Sequence, residues 1–182
     1  SAGWMHTCAI LDDGNVSCWG MGDQGQLGNN ATSNSRSPTY VTMAGITGTF
    51  ESISSGYKTT CGILNSSETV CWGWNGKGQI GDGSTTNRLV PTGLTNLSLG
   101  DVVVNITASR YHTCASFVDG SLRCWGDNTD LKLGVDFSAA QSLTQPSGRP
   151  IGAIDATEVT ETTEGQNVTY LIRIHGLSTS NF

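Results

Sequence analysis

The sequence predicts an all-β protein made of three like-shaped units followed by a C-terminal strand tail. Three observations carry that prediction. The six cysteines form three pairs, each ten positions apart; the chain matches itself at a shift of 53; and its composition is that of strands joined by many turns. Of 182 residues, 24 are glycine and only 13% are charged. Asn, Ser and Thr fill much of the remainder, a mixture that favours turns and strands over helices.

The hairpins come first. Between Cys8 and Cys18 an Ala-Ile-Leu stretch is followed by Asp12-Asp-Gly-Asn15 and then Val-Ser. A turn cluster between apolar stretches predicts a β-hairpin. Centring the turn on Asp13 sets Cys8 opposite Cys18 and Ile10 opposite Val16. The same arrangement recurs between Cys61 and Cys71, around Asn65-Ser-Ser-Glu68, and between Cys114 and Cys124, around Asp119-Gly120-Ser121. Opposed residues hold their β-carbons about 4.5–5.5 Å apart, which a twisted, non-hydrogen-bonded pair brings within disulfide reach.

The rest of each unit repeats too. Gly3-Trp-Met-His-Thr-Cys8 aligns with Gly56-Tyr-Lys-Thr-Thr-Cys61 and Ser109-Arg-Tyr-His-Thr-Cys114. Each second cysteine opens Cys-Trp-Gly, placing Trp19, Trp72 and Trp125 at one repeat position. Gly25-Gln-Leu-Gly28, Gly78-Gln-Ile-Gly81 and a weaker Leu131-Lys-Leu-Gly134 follow, and Pro38, Pro91 and Pro146 close the units. A period of this length denotes stacked supersecondary units. The segments 49–55 and 102–108 read as strands leading into units two and three, whereas only Ser1 and Ala2 precede Gly3. The first unit is therefore expected to lack a strand. The boundaries are 1–48, 49–101 and 102–150 for the units and 151–182 for a Thr/Glu spacer with a final strand. In that strand Val168, Tyr170, Ile172 and Ile174 alternate onto one face.

An even cysteine count at uniform spacing favours three disulfides in an oxidising compartment: Cys8 with Cys18, Cys61 with Cys71, Cys114 with Cys124. Zinc is the competing reading, because His6 and His112 each precede a cysteine by two residues. The middle unit has Thr59 there, and no Cys-x-x-Cys pair occurs. Asn15, Asn30, Asn65, Asn96, Asn105 and Asn167 each open an Asn-x-Ser/Thr acceptor for N-glycans. Cysteines and acceptors together predict a secreted, extracellular or cell-surface glycoprotein. The chain opens at Ser1 with no signal peptide and reads as mature or trimmed.

Other functions are disfavoured. Acidic residues outnumber basic ones 15 to 9, giving a net charge of -6 that repels a phosphate backbone, so no nucleic acid partner is expected. No apolar run approaches the roughly 20 residues of a membrane span. Three histidines and no nucleophile motif predict no catalytic residues, no metal and no cofactor. Asp12, Asp13, Asp127, Asn128 and Asp130 suit turns better than calcium, since their spacing matches no EF-hand. The Gly-Gln-Leu-Gly pieces lack a Walker lysine-serine and suit tight turns. Trp19, Trp72 and Trp125, recurring beside a cysteine, suit packing between units. Trp4 and Trp74 do not recur as tryptophan and are the better candidates for a surface contact.

In combination, Gly-x-x-His-Thr-Cys, the Asp-Gly hairpin, Cys-Trp-Gly, Gly-Gln-Leu-Gly and the late proline resemble the RCC1 (regulator of chromosome condensation) repeat over about residues 1–150. The resemblance implies four-stranded propeller blades, here a partial propeller or open arc, in the disulfide-bonded extracellular branch of the family. It carries no exchange activity, because no matching catalytic loop can be identified. Two functions follow as expectations. One is a structural subunit of a surface fibre or coat, self-associating head to tail by strand pairing through residues 166–182. The other is a secreted binding module for a protein or glycan partner.

Overall fold

A computed structural model describes residues 1–95, 97, 98 and 100–134, and the backbone of 142–147. Among the described residues, eleven strands form three antiparallel sheets. The first holds β1 (His6–Ile10), β2 (Val16–Gly20) and β3 (Ser35–Tyr40). The second runs β4 (Phe50–Ser55), β5 (Thr59–Leu64), β6 (Thr69–Gly73), β7 (Arg88–Gly93). The third runs β8 (Val103–Ala108), β9 (His112–Phe117), β10 (Leu122–Asp127), β11 (Ser142–Ser147). A 3-10 turn, Thr129–Leu131, follows β10.

In each unit the hairpin sets the register. Leu11 N–H donates to the Asn15 carbonyl and Gly14 N–H to that of Leu11, with Gly14 at φ +77° where a side chain would be strained. Counting back along the ladder pairs Ile10 with Val16 and places Cys8 and Cys18 at a close, non-hydrogen-bonded site. The equivalent closures are Leu64 to Glu68 and Phe117 to Ser121. Disulfides join Cys8–Cys18, Cys61–Cys71 and Cys114–Cys124, with Cα separations of 4.1, 4.0 and 4.1 Å. Pro38, Pro91 and Pro146 all lie on the outermost strand of their sheet, where a missing N–H breaks no ladder.

Ser1 and Ala2 pair with Cys8 and Thr7, as Ser54 and Ser55 pair with Cys61 and Thr60 in the second sheet. The first sheet thus has three strands where the others have four.

The apolar core lies between the sheets. Cys8, Val16, Cys18 and Leu27 of the first unit pack on Phe50, Leu64, Val70 and Trp72 of the second. Cys61, Ile63, Cys71 and Ile80 then pack on Val103, Ile106, Phe117 and Trp125 of the third. Each disulfide of the first two units therefore lies against the next unit.

Trp72 and Trp125 are fully buried wedges. Trp72 Nε1 donates to the Gln26 carbonyl at 3.0 Å and Trp125 Nε1 to the Gln79 carbonyl at 2.9 Å, both in the Gly-Gln turn of the preceding unit. Thr60 and Thr113 hydroxyls donate to the same two carbonyls. Trp19, at the same repeat position, is only partly buried.

Candidate binding ridge

The turns that lead into β1, β5 and β9 stack from unit to unit. Trp4 N–H donates to the Gly56 carbonyl at 3.1 Å and Tyr57 N–H to the Ser109 carbonyl at 3.3 Å. Glycine permits this approach. A Cβ on Gly3 would fall 2.4 Å from the Gly56 oxygen, and one on Gly56 2.3 Å from the Ser109 oxygen. The residue after each of these positions therefore lands in one column: Trp4, Tyr57, Arg110.

Their side chains form a continuous aromatic row. Trp4 meets Tyr57 edge to face at 5.9 Å between ring centroids, Tyr57 meets Tyr111 at 6.4 Å, and Tyr111 meets Trp74 at 5.5 Å. The Arg110 guanidinium lies 5.0 Å from the Tyr57 centroid and 4.8 Å from that of Tyr111, a doubled cation–π contact. Lys58 also lies over the Tyr57 ring, 5.9 Å from its centroid, and is ion-paired to Asp23 at 2.7 Å. Trp4 is 74% exposed, Arg110 is exposed, and Tyr57, Tyr111 and Trp74 are half-buried. A rim of large flat groups with two cations suits contact with another macromolecule, because such groups offer wide area for little lost side-chain freedom.

Trp4 and Trp74, read from the sequence as surface contacts, are thus the two ends of one row. Tyr57, Tyr111 and Arg110 were missed. The available signal was that Trp4, Tyr57 and Arg110 share a repeat position and a planar shape, though not an identity.

The other singled-out residues have local partners. His6 is buried, and its Nε2 lies 2.7 Å from the Thr60 hydroxyl. That hydroxyl already donates to Gln26, so His6 carries its proton on Nε2 and leaves Nδ1 as a buried acceptor with no partner among the described residues. Burial pushes its pKa down from 6.5 to about 4. His112 is lowered for the same reason, aided by Lys132 and opposed by Asp127. Asp13 caps its own turn by accepting from Asn15, and Asp127 accepts from Thr129 and Lys132. Asn15, Asn30, Asn65 and Asn105 are exposed; Asn96 and Asn167 lie outside the described residues, as do Val168, Tyr170, Ile172 and Ile174.

Comparison with known proteins decides the family. The pattern described as "Regulator of chromosome condensation (RCC1) repeat" matches residues 71–116, and a second pattern so described matches 1–26, 50–79 and 103–130. The chain belongs to the RCC1-repeat family. Its relatives include the ultraviolet-B receptor UVR8 of Arabidopsis thaliana, 30% identical over 137 residues, which are 74% of this chain and 30% of UVR8. The human E3 ubiquitin-protein ligase HERC2 is 30% identical over 133 residues, 73% of this chain and 3% of HERC2. This RCC1-repeat chain thus spans under a third of either protein. Among solved structures, yeast RCC1 (Prp20) bound to Kap60 matches with a TM-score of 0.70 at 18% identity, over 80% of this chain and 35% of Prp20. Human WBSCR16 matches with a TM-score of 0.69 at 22% identity, over 79% of this chain and 36% of that one. At these identities the likeness is one of fold. It makes the three sheets blades of an RCC1-type β-propeller.

Proposed function

We propose that this RCC1-repeat chain is an extracellular, disulfide-stapled, N-glycosylated binding module that recognises a protein partner through the Trp4–Tyr57–Tyr111–Trp74 ridge. The observation that carries the reading is the unbroken aromatic row with Arg110 seated on it. Three disulfides with no free cysteine among the described residues favour an oxidising compartment. The exposure of Asn15, Asn30, Asn65 and Asn105 leaves room for glycans. A protein of the same fold, Prp20, binds a protein, Kap60.

The test has two arms. Intact mass of native protein, before and after glycosidase, reads glycans, and alkylation before reduction reads free thiols; an unmodified mass with six free thiols refutes the extracellular reading. Wild-type chain and a Trp4→Ala/Tyr57→Ala variant are then screened against arrayed extracellular proteins and glycans. Partners held by the ridge should weaken at least tenfold, the scale of about 1.4 kcal/mol. Partners bound equally by both chains refute the ridge. A fibre subunit is the alternative, and it rests on residues 166–182, outside the described residues. Loss of assembly in light scattering on deleting Gln166 to Phe182 would favour that alternative.

A further inference from the structure

Most basic side chains of this acidic protein are engaged by its own carboxylates. Lys58 pairs with Asp23, Arg88 with Asp82 and Arg123 with Asp101, while Lys77 and Lys132 share Asp127. Arg36 and Arg110 have no carboxylate within ion-pair reach among the described residues. Acidic residues outnumber basic ones 15 to 9 over the whole chain, so partners for arginine are not scarce. Of the two, Arg110 is the one that meets the aromatic row.

Its position there is held. The guanidinium carbon stands 5.0 Å from the Tyr57 centroid and 4.8 Å from that of Tyr111, and the two centroids are 6.4 Å apart. Arg110 thus rests over the step between two edge-to-face rings. Tyr57 N–H donates to the carbonyl of Ser109, the residue before Arg110, and Trp74 braces Tyr111. The rings attract the cation without using any of its five N–H donors. None of those groups donates to another described residue, and the side chain is exposed. A guanidinium presents its donors as a planar fork that matches the two oxygens of a carboxylate. A fork already seated on two rings gives up less freedom when it is engaged.

Taking the ridge as the protein-binding surface proposed above, we infer that Arg110 is the seat for a single Asp or Glu side chain of the partner. The row places that seat at its centre, with Trp4 and Tyr57 on one side and Tyr111 and Trp74 on the other. Groups at the centre of such a rim lose water on docking, and there Arg, Tyr and Trp concentrate binding. The net charge of -6 repels an acid-rich partner at a distance. The element recognised is therefore one carboxylate among flat or apolar residues.

The probes are short random peptides selected by display on the full chain with disulfides intact, then synthesised with both ends blocked. Their affinities for wild type, W4A/Y57A, R110Q and R110K are read by fluorescence anisotropy of a peptide-borne dye, with circular dichroism matched. Ridge peptides are those that W4A/Y57A weakens by at least about tenfold. Each should carry one Asp or Glu whose change to Asn or Gln costs about tenfold in affinity. R110Q and R110K should both weaken the acidic peptide and leave its amide counterpart unchanged. Lysine keeps the charge but not the fork, so full rescue by R110K overturns the carboxylate seat. Ridge peptides that need no acid, or that bind R110Q as well as wild type, overturn it too and leave the ridge intact. Selection that yields only peptides indifferent to W4A/Y57A removes the ridge itself, and the seat with it.

Discussion

Acidification should destabilise this protein through His6, and replacing His6 with threonine should remove that part of the loss. The imidazole is 3% exposed, and its Nδ1 faces Gly3, with a hypothetical Gly3 Cβ only 3.1 Å away. A proton added to Nδ1 creates a buried cation whose new N–H has no acceptor among the described residues. Hence the native pKa falls from 6.5 to about 4. The unfolded chain binds that proton first. Stability from the neutral imidazole is fully present above pH 6.5, declines as pH falls, and is gone near the native value. At about 1.4 kcal/mol per pH unit of separation, the loss is roughly 3 kcal/mol.

The assay is urea unfolding at several pH values between about 7 and 4, with disulfides intact. Thr59 occupies the equivalent site in the second unit, fully buried, its hydroxyl donating to the Trp74 carbonyl, so threonine is a residue this repeat accepts there. His6→Thr lowers stability at neutral pH, because Thr60 loses a partner and a space opens. The readout is the slope. His112 is present in both proteins and cancels in the difference. Asp23, Asp82 and Asp127 are raised by burial but lowered further by hydrogen bonds, from Lys58, Ser84 and Lys132 respectively among others, so they protonate below the ordinary carboxylate range. Their losses fall mainly below this window. Parallel stability–pH curves for wild type and His6→Thr would refute the argument.

Three further outcomes are expected. Replacing both Cys61 and Cys71 by alanine should cost about 2–3 kcal/mol in denaturant unfolding, the entropy of opening an eleven-residue loop, with the other two disulfides retained by mass. Trp72→Ala should cost about 3–5 kcal/mol because it empties a fully buried wedge site, whereas Trp19→Ala should cost well under half as much in the same denaturation series. Gly81→Ala should lower the melting temperature more than Gly134→Ala does. Both sites have positive φ, +81° and +68°, but only at Gly81 does a described side chain, Trp125, occupy the Cβ position.

Much of the fold is legible in the sequence because strand registry has period two and the hairpin turns are short. Once Asp13 is fixed as a turn centre, the Cys8–Cys18 pairing follows, and the 53-residue shift carries it to the other units. The wedge role of Trp72 and Trp125 follows similarly, from recurrence beside a cysteine. Trp19, at the same repeat position, is only partly buried: a repeated residue shares its own unit's frame, while the seat of Trp72 and of Trp125 is a turn of the preceding unit. The acceptors that seat the tryptophans are the Gln26 and Gln79 carbonyls, and a backbone carbonyl has no residue-type signature. Tyr57, Arg110 and Tyr111 escaped because a ridge built across three turns selects flatness and position. A search for recurring identities passes over both.

The ridge and the wedges are parts of one spine, which bears on what the ridge can do. Each ridge residue is delivered by a turn whose backbone is hydrogen-bonded to the next unit, Trp4 to Gly56 and Tyr57 to Ser109. Those turns hold their spacing only while the wedges keep the units stacked. A short surface loop bearing the same aromatic groups would have to give up conformational entropy on binding to align them. Here the alignment is made during folding, as burial of Trp72 and Trp125 and closure of the disulfides fix the unit-to-unit step. The scarcity of large aliphatic residues within any single unit supports this division, since the core lies between units, where packing also sets the ridge. In this architecture the ridge is continuous with the core, and weakening a junction weakens the ridge with it.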